Sequence, residues 1–255
     1  MLVDVHAHLS DEQYKNDIFE VIKRAKDNKV VAIISAGTNK ISNEKTLILS
    51  KRFLIIKAAL GLYPLESLEL NESQIIDTLD HIIKNKKNIT AISEVGLDYS
   101  YIKNQNYKQK EIFQNFINLA EKLKLPIIVH SRKAEVDCIE ILESSKIKYI
   151  IMHSFTGNLK LVKRIEDNGW FITIPTNVVF SSHFQNIVDK VDISRLLTET
   201  DSPYLSPIKG KRNEPSNVKY SIETISKIKR LDKEEVKKII FMNFQNIFIN
   251  RNLFI

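Results

Sequence analysis

A chain of 255 residues can bury a large core and suits one α/β barrel or two small domains. Its 43% apolar and 27% charged residues are those of an ordinary soluble globular protein, and its single cysteine, Cys138, excludes an intrachain disulfide and fits a reducing compartment. The net charge of +7 favours a polyanionic partner, although a solvated lysine-rich surface accounts for it equally well.

The first eight residues lack the layout of a signal peptide, and the longest apolar run, 53–62, is broken by Lys57 and too short to span a bilayer. A cytoplasmic protein without a membrane partner is expected, and nothing in the sequence demands more than a monomer. Cys138 carries no nucleophile motif around it and reads as a buried helix position.

From the N-terminus onward, short β-branched apolar runs alternate with segments long enough for a helix. The runs are Leu2–His6, Val30–Ser35, Leu54–Leu60, Thr90–Glu94, Pro126–His130, Tyr149–His153, Trp170–Ile174 and Leu196–Thr200. Ile18, Val21, Ile22 and Ala25 repeat at helical spacing after the first run, as do Ile112, Phe116, Leu119, Ala120 and Leu123 after the fourth. Pro126 then forces the chain out of its helix into the fifth strand. The seventh unit is the weakest, because 184–191 is short for its helix. Helical patterns over 216–229 and 232–248 close the chain, and Asp232 followed by Glu235 has capping-box spacing. Eight near-continuous apolar runs separated by helices predict a parallel sheet closed as a TIM (β/α)8 barrel, with 1–255 as a single domain. An open doubly wound sheet is the alternative, but no glycine-rich phosphate fingerprint follows the first strand.

In a barrel of this kind, chemistry sits at the C-terminal ends of the strands. Reading only those ends gives His6 and His8, Glu94, His130, His153 and Asp201, which takes in four of the six histidines. His81 and His183 fall in helical or loop segments and look like surface residues. Along a strand, residues two apart point to one face, so His6 and His8 would project together and can share an ion. Each of these residues alone has a bland reading: a capping histidine, a loop carboxylate, an Asp opening a turn before Ser202-Pro203. Four imidazoles and two acids at one end of one barrel are enough for two cations. A bridging carboxylate would hold such ions about 3.5–4 Å apart. Glu94 ends an apolar strand, where a charge needs a partner, and is the candidate bridge. Asp201 is the candidate to bind one ion and to accept a proton from the attacking water.

These stretches together resemble the TatD-type metal-dependent deoxyribonucleases of the amidohydrolase superfamily. The resemblance rests on Asp4-Val5-His6-Ala7-His8, Glu94-Val95-Gly96-Leu97-Asp98-Tyr99, 125–132 ending in His130-Ser131-Arg132, and His153-Ser154-Phe155-Thr156-Gly157. It continues through Thr198-Glu199-Thr200-Asp201-Ser202-Pro203 to Gly210-Lys211-Arg212-Asn213-Glu214-Pro215. It implies a metallo-dependent hydrolase barrel with two divalent ions and exonuclease activity at DNA 3′ ends. It implies His6 and His8 on one ion, His130 and His153 on the other, Glu94 between them and Asp201 on the first. The chain departs from the family at Gly61-Leu62-Tyr63-Pro64, where the family commonly has Gly-x-His-Pro. A tyrosine there spares the metal ligands and bears on substrate contact or proton handling.

The expected reaction is phosphodiester hydrolysis by a metal-activated water, on DNA single strands or 3′ ends. Mixed imidazole and carboxylate ligands suit Zn2+ or Mn2+, whereas the resemblance implies Mg2+-supported activity. Arg132 is placed to contact phosphate or to form a loop salt bridge, and Arg212 is a further candidate. Tyr63, Tyr99 and Tyr204 follow strand ends, where they would stack on an unpaired base or simply pack. Two rival readings are a small-molecule amidohydrolase or esterase on the same barrel and an inactive protein that binds metal and nucleic acid. Glu94, where many amidohydrolases use a carboxylated lysine, opposes the first; retained Asp201 and the lack of a thiolate-rich structural site oppose the second.

Overall fold

In the computed structural model, which describes residues 1–101 and 106–249, each of the eight apolar runs is a strand. They are β1 (Leu2–Ala7), β2 (Val30–Ala36), β3 (Ile56–Leu60), β4 (Ile89–Gly96), β5 (Ile127–His130), β6 (Ile150–Met152), β7 (Phe171–Ile174) and β8 (Leu196–Thr198). They form one sheet in chain order with every neighbouring pair parallel. The helices between and after them are α1 (Ile18–Asp27), α2 (Lys40–Arg52), α3 (Pro64–Ser67), α4 (Glu72–Lys84) and α5 (Asn106–Leu123). They continue as α6 (Glu135–Glu143), α7 (Leu159–Asp167), α8 (Ser182–Lys190), α9 (Val218–Lys229) and α10 (Lys233–Phe248). This is the expected TIM barrel. Strands β1 and β7 are buried along their whole length, as strands covered on both faces must be. The helical stripes face inward: Val21, Ile22 and Ala25 of α1 and Ile112, Phe116, Leu119 and Ala120 of α5 are buried, and so is Cys138 on α6. Asp232 caps α10, but through the N–H of Glu234 rather than that of Glu235.

The differences lie at the strand ends and have local causes. Leu54 is 86% exposed in the turn after α2, so β3 starts only at Ile56. Strand β8 stops at Thr198, because the Thr200 N–H and hydroxyl both donate to the buried carboxylate of Asp4 on β1, at 2.9 and 2.5 Å. Those bonds belong to the seam that closes the barrel. There the Thr198 hydroxyl donates to Val3 O at 2.7 Å, Asp201 N to His6 O at 2.9 Å, and His8 N to Ser202 O at 2.7 Å. The seam between first and last strands thus ties the loop carrying Asp201 to the strand carrying His6.

Two glycines set how closely strand ends approach. A Cβ on Gly61, just beyond β3, would lie 2.5 Å from the Ser93 carbonyl carbon, so only glycine lets the chain lie against the end of β4. Gly96 has φ +140°, and a Cβ there would fall 1.9 Å from His130 O. Glycine at 96 lets β4 and β5 bring Glu94 and His130 side by side.

Candidate metal centre

The six strand-end residues converge as the barrel topology requires. His6 and His8 leave the end of β1 with their Nε2 atoms 3.2 Å apart. His8 Nε2 lies 3.3 Å from both Glu94 Oε2 and Asp201 Oδ1; His6 Nε2 lies 3.6 and 3.8 Å from the same two oxygens. Glu94 turns its other oxygen to the opposite side, where Oε1 is 2.7 Å from His130 Nδ1 and 3.9 Å from His153 Nε2. The His6 and His153 rings stack at 3.8 Å. Glu94 therefore stands between two histidine pairs, as a bridging carboxylate must. Donor atoms within 4.8 Å of one another form two metal-competent groups, His6–His8–Asp201 and His6–Glu94–His153. His130 stands beside the second group through its contact with Glu94.

Three of the imidazoles are held from behind. His8 Nδ1 faces Ala36 O of β2 at 3.3 Å, His130 Nε2 faces Asp98 Oδ2 at 3.0 Å, and His153 Nδ1 faces Glu199 Oε2 at 2.8 Å. With a proton on each far nitrogen serving those acceptors, the near nitrogen would be free to bind a cation in place of its carboxylate contacts, the arrangement of metal histidines supported from behind. The donor set thus fits divalent cations. Burial drives the Glu94 carboxyl up, but the imidazoles of His130 and His6 outweigh it and hold the group well below the usual carboxylate range. Burial acts likewise on Asp201, where His8 and His153 prevail and keep it low. Both acids stay ionised near neutrality, as ligands of a cation need to be.

Asp98 and Glu199 are supporting residues that the sequence reading did not assign. Glu199 is fully buried between two threonines, and Asp98 is fully buried just past β4. The signal that singled out Glu94, an acid in an apolar run, was present at Glu199 too.

The centre opens into a cavity of about 700 Å³ lined by His8, Glu94, His130, His153 and Asp201, with Tyr63, Arg132 and Tyr204 around them. Among the sequence candidates for substrate contact, Tyr63, Tyr204 and Arg132 line this cavity; Tyr99 and Arg212 do not. The Tyr99 hydroxyl donates to Asp137 at 2.7 Å. Arg212 turns to Asp17 and to the carbonyl of Gln13, with its guanidinium over the Tyr14 ring. His81 and His183 are half-buried and lie outside the cluster; His183 Nε2 faces Phe155 O. The rim carries Asp11, Glu12 and Glu66 against Lys45 and Arg132, and Lys45 is paired with Glu12. Much of the positive charge lies elsewhere. Lys86, Lys87, Lys124, Lys146 and Lys148 line a cavity of about 570 Å³ at the N-terminal ends of β4–β6, opposite the centre.

Comparison with known proteins agrees with this architecture. A family model described as TatD related DNase matches residues 3–249. An uncharacterized metal-dependent hydrolase of Methanocaldococcus jannaschii is 42% identical over 252 residues, 98% of this chain and 97% of that protein. The deoxyribonuclease TATDN3 of Homo sapiens is 32% identical over 258 residues, 97% of this chain and 94% of its own. Among solved structures, a TatD homolog from Escherichia coli superposes with a TM-score of 0.91 at 22% identity, covering 97% of each chain. No described helix is long and apolar enough to cross a membrane.

Proposed function

We propose that this chain, which belongs to the TatD-related DNase family of metal-dependent hydrolases, hydrolyses DNA phosphodiesters from a 3′ end at a centre of two divalent ions. The observation that carries the reading is the position of Glu94, with one carboxylate oxygen toward His6 and His8 and the other toward His130 and His153. His6, His8 and Asp201 would hold one ion and His130 and His153 the other, with Glu94 shared. Mg2+, Mn2+ and Zn2+ are the candidates. Bound there, such ions lower the pKa of water and neutralise charge on phosphoryl oxygens.

The chain's own groups supply the remainder. Asp201 keeps a partly exposed carboxylate facing the cavity and is the group that accepts the proton of the attacking water. Arg132, at the cavity wall beyond His130, is the side chain to fix a phosphate by paired N–H donors. Exonuclease action and its 3′ polarity rest on the family resemblance, as does the choice of DNA together with the human relative's name.

The acids at the rim favour one second reading, a small uncharged ester or amide as substrate. Digestion of end-labelled single- and double-stranded DNA separates the two, with each metal restored after chelation. Metal-dependent shortening from the 3′ end is expected, with kcat reduced about 10²–10⁴-fold in Asp201→Asn and activity lost in His6→Ala/His8→Ala. Intact DNA with every metal, alongside turnover of small esters, would transfer the assignment to the second reading.

A further inference from the structure

His130 is held unlike the other ligand histidines. Its Nε2 meets Asp98 Oδ2 at 3.0 Å, and the same oxygen receives the Tyr63 hydroxyl at 2.8 Å. The other carboxylate oxygen, Oδ1, receives the Ser100 N–H at 2.8 Å and the Ser100 hydroxyl at 2.5 Å. The Asp98 backbone is fixed as well, since its N–H and C=O exchange hydrogen bonds of 2.8 Å with the Gln109 side-chain amide of α5. Asp98 is fully buried. With four donors on two oxygens, its carboxylate has one orientation.

Tyr63 reaches His130 by two routes. Its hydroxyl acts through Asp98, and its ring stands edge-on to the imidazole, centroids 5.0 Å apart at 74°. The tyrosine itself is anchored, with its N–H on Thr38 O at 2.8 Å and Pro64 opening α3 directly after it. A hydroxyl bound to a buried carboxylate is not free to donate to a phosphate, so contact with substrate is not its main use.

From this we infer that Tyr63 is a positioning residue: with Asp98 it locks the His130 ring so that Nδ1 points to Glu94, where it would hold the second ion. This rests on the two-ion reading above. It assigns a function to the position where the chain departs from Gly-x-His-Pro. The mechanism is geometric. A ring held at its far nitrogen and flanked by the Tyr63 ring loses little rotational freedom on ligating, and a proton on Nε2 toward Asp98 would leave Nδ1 to ligate.

The test is metal titration of the chelated full-length protein by calorimetry with Mn2+, in wild type, Tyr63→Phe and Asp98→Asn, each first checked for an unchanged far-UV spectrum. The wild type is expected to take two ions. Tyr63→Phe should retain the first affinity and weaken the second about 10-fold, and Asp98→Asn by about 10–100-fold, the range for lost support behind a ligand. On DNA, Tyr63→Phe should lower kcat at limiting Mn2+, recover at high Mn2+, and leave KM for DNA unchanged.

Two full-strength ions in Tyr63→Phe would overturn the inference while leaving the two-ion centre intact. A raised KM with unchanged metal affinities would overturn it in favour of substrate contact. A wild type that binds one ion only would remove both the inference and the two-ion reading.

Discussion

Asn43, on the first turn of α2, is fully buried although it faces no ligand. Its side-chain amide imitates a peptide: Nδ2 donates to Gly61 O at 2.8 Å, and Oδ1 accepts from Gly61 N at 3.2 Å. Gly61 in turn lies against the Ser93–Glu94 backbone, and Glu94 N donates to Gly37 O at 2.9 Å. Asn43 therefore supports the end of β4 from which Glu94 projects. Asn43→Ala strands a buried N–H and a buried C=O, each at about 1–3 kcal/mol. The better helix propensity of alanine returns about 0.5–0.7 kcal/mol. The net loss should be about 3 kcal/mol, which lowers Tm by about 6–12 °C at about 2–4 °C per kcal/mol for a chain of this size. The measurement is a thermal melt followed by circular dichroism, with chelator present because bound metal would add stability of its own. A loss below about 1 kcal/mol would mean that water or a backbone shift satisfies Gly61, and the supporting role would fail.

Arg212 tests the opposite case, a candidate substrate residue that the fold uses elsewhere. Its hydrogen bond lowers the Asp17 carboxyl below its usual range, so the pair's stability is present above the unfolded carboxylate pKa and lost as pH falls through the folded value. Arg212→Ala should cost under about 1 kcal/mol at pH 7, because the pair is half-exposed. The ionic part of that loss should vanish in acid, and KM for DNA should stay within about twofold; denaturant melts at several pH values and initial rates check both. Burial pushes the Cys138 thiol well above its usual range, so a disulfide reagent should leave the folded protein unmodified and label it fully after unfolding in guanidinium.

The barrel was legible because parallel strands covered on both faces read as continuous apolar runs, and eight of them with helices between leave few architectures. Their last residues were less legible. Thr200 looks like strand, and only the buried carboxylate of Asp4, far away in sequence, takes its N–H out of the ladder. The candidate ligands stood out because imidazoles and acids at the ends of apolar strands have no structural reason to be there. Their supports did not, because Asp98 reads as a loop acid, Glu199 as a strand residue among threonines, and Asn43 as a polar helix residue. Each becomes visible only when burial is known. Tyr99 and Arg212 show the converse: proximity to a strand end does not fix where a long side chain points, and each found an acid outside the cavity.

The supports also explain why this centre belongs to the barrel as a whole rather than to any one loop. The candidate ligands leave β1, β4, β5 and β6 and the loop after β8, while the groups behind His8, His130 and His153 come from other strand ends. His8 leans on Ala36 of β2, His130 on Asp98 beyond β4, and His153 on Glu199 after β8. Asp201 is placed by the seam, where Asp4 of β1 holds Thr200. Each of these four is thus oriented by a strand other than its own, and the closed sheet fixes the distances among strands. A loop graft carrying the same six residues would lack this cross-bracing. Damage at Asp98 or Glu199 should therefore weaken metal binding more than it weakens the fold, whereas damage to the β1–β8 seam should do both at once.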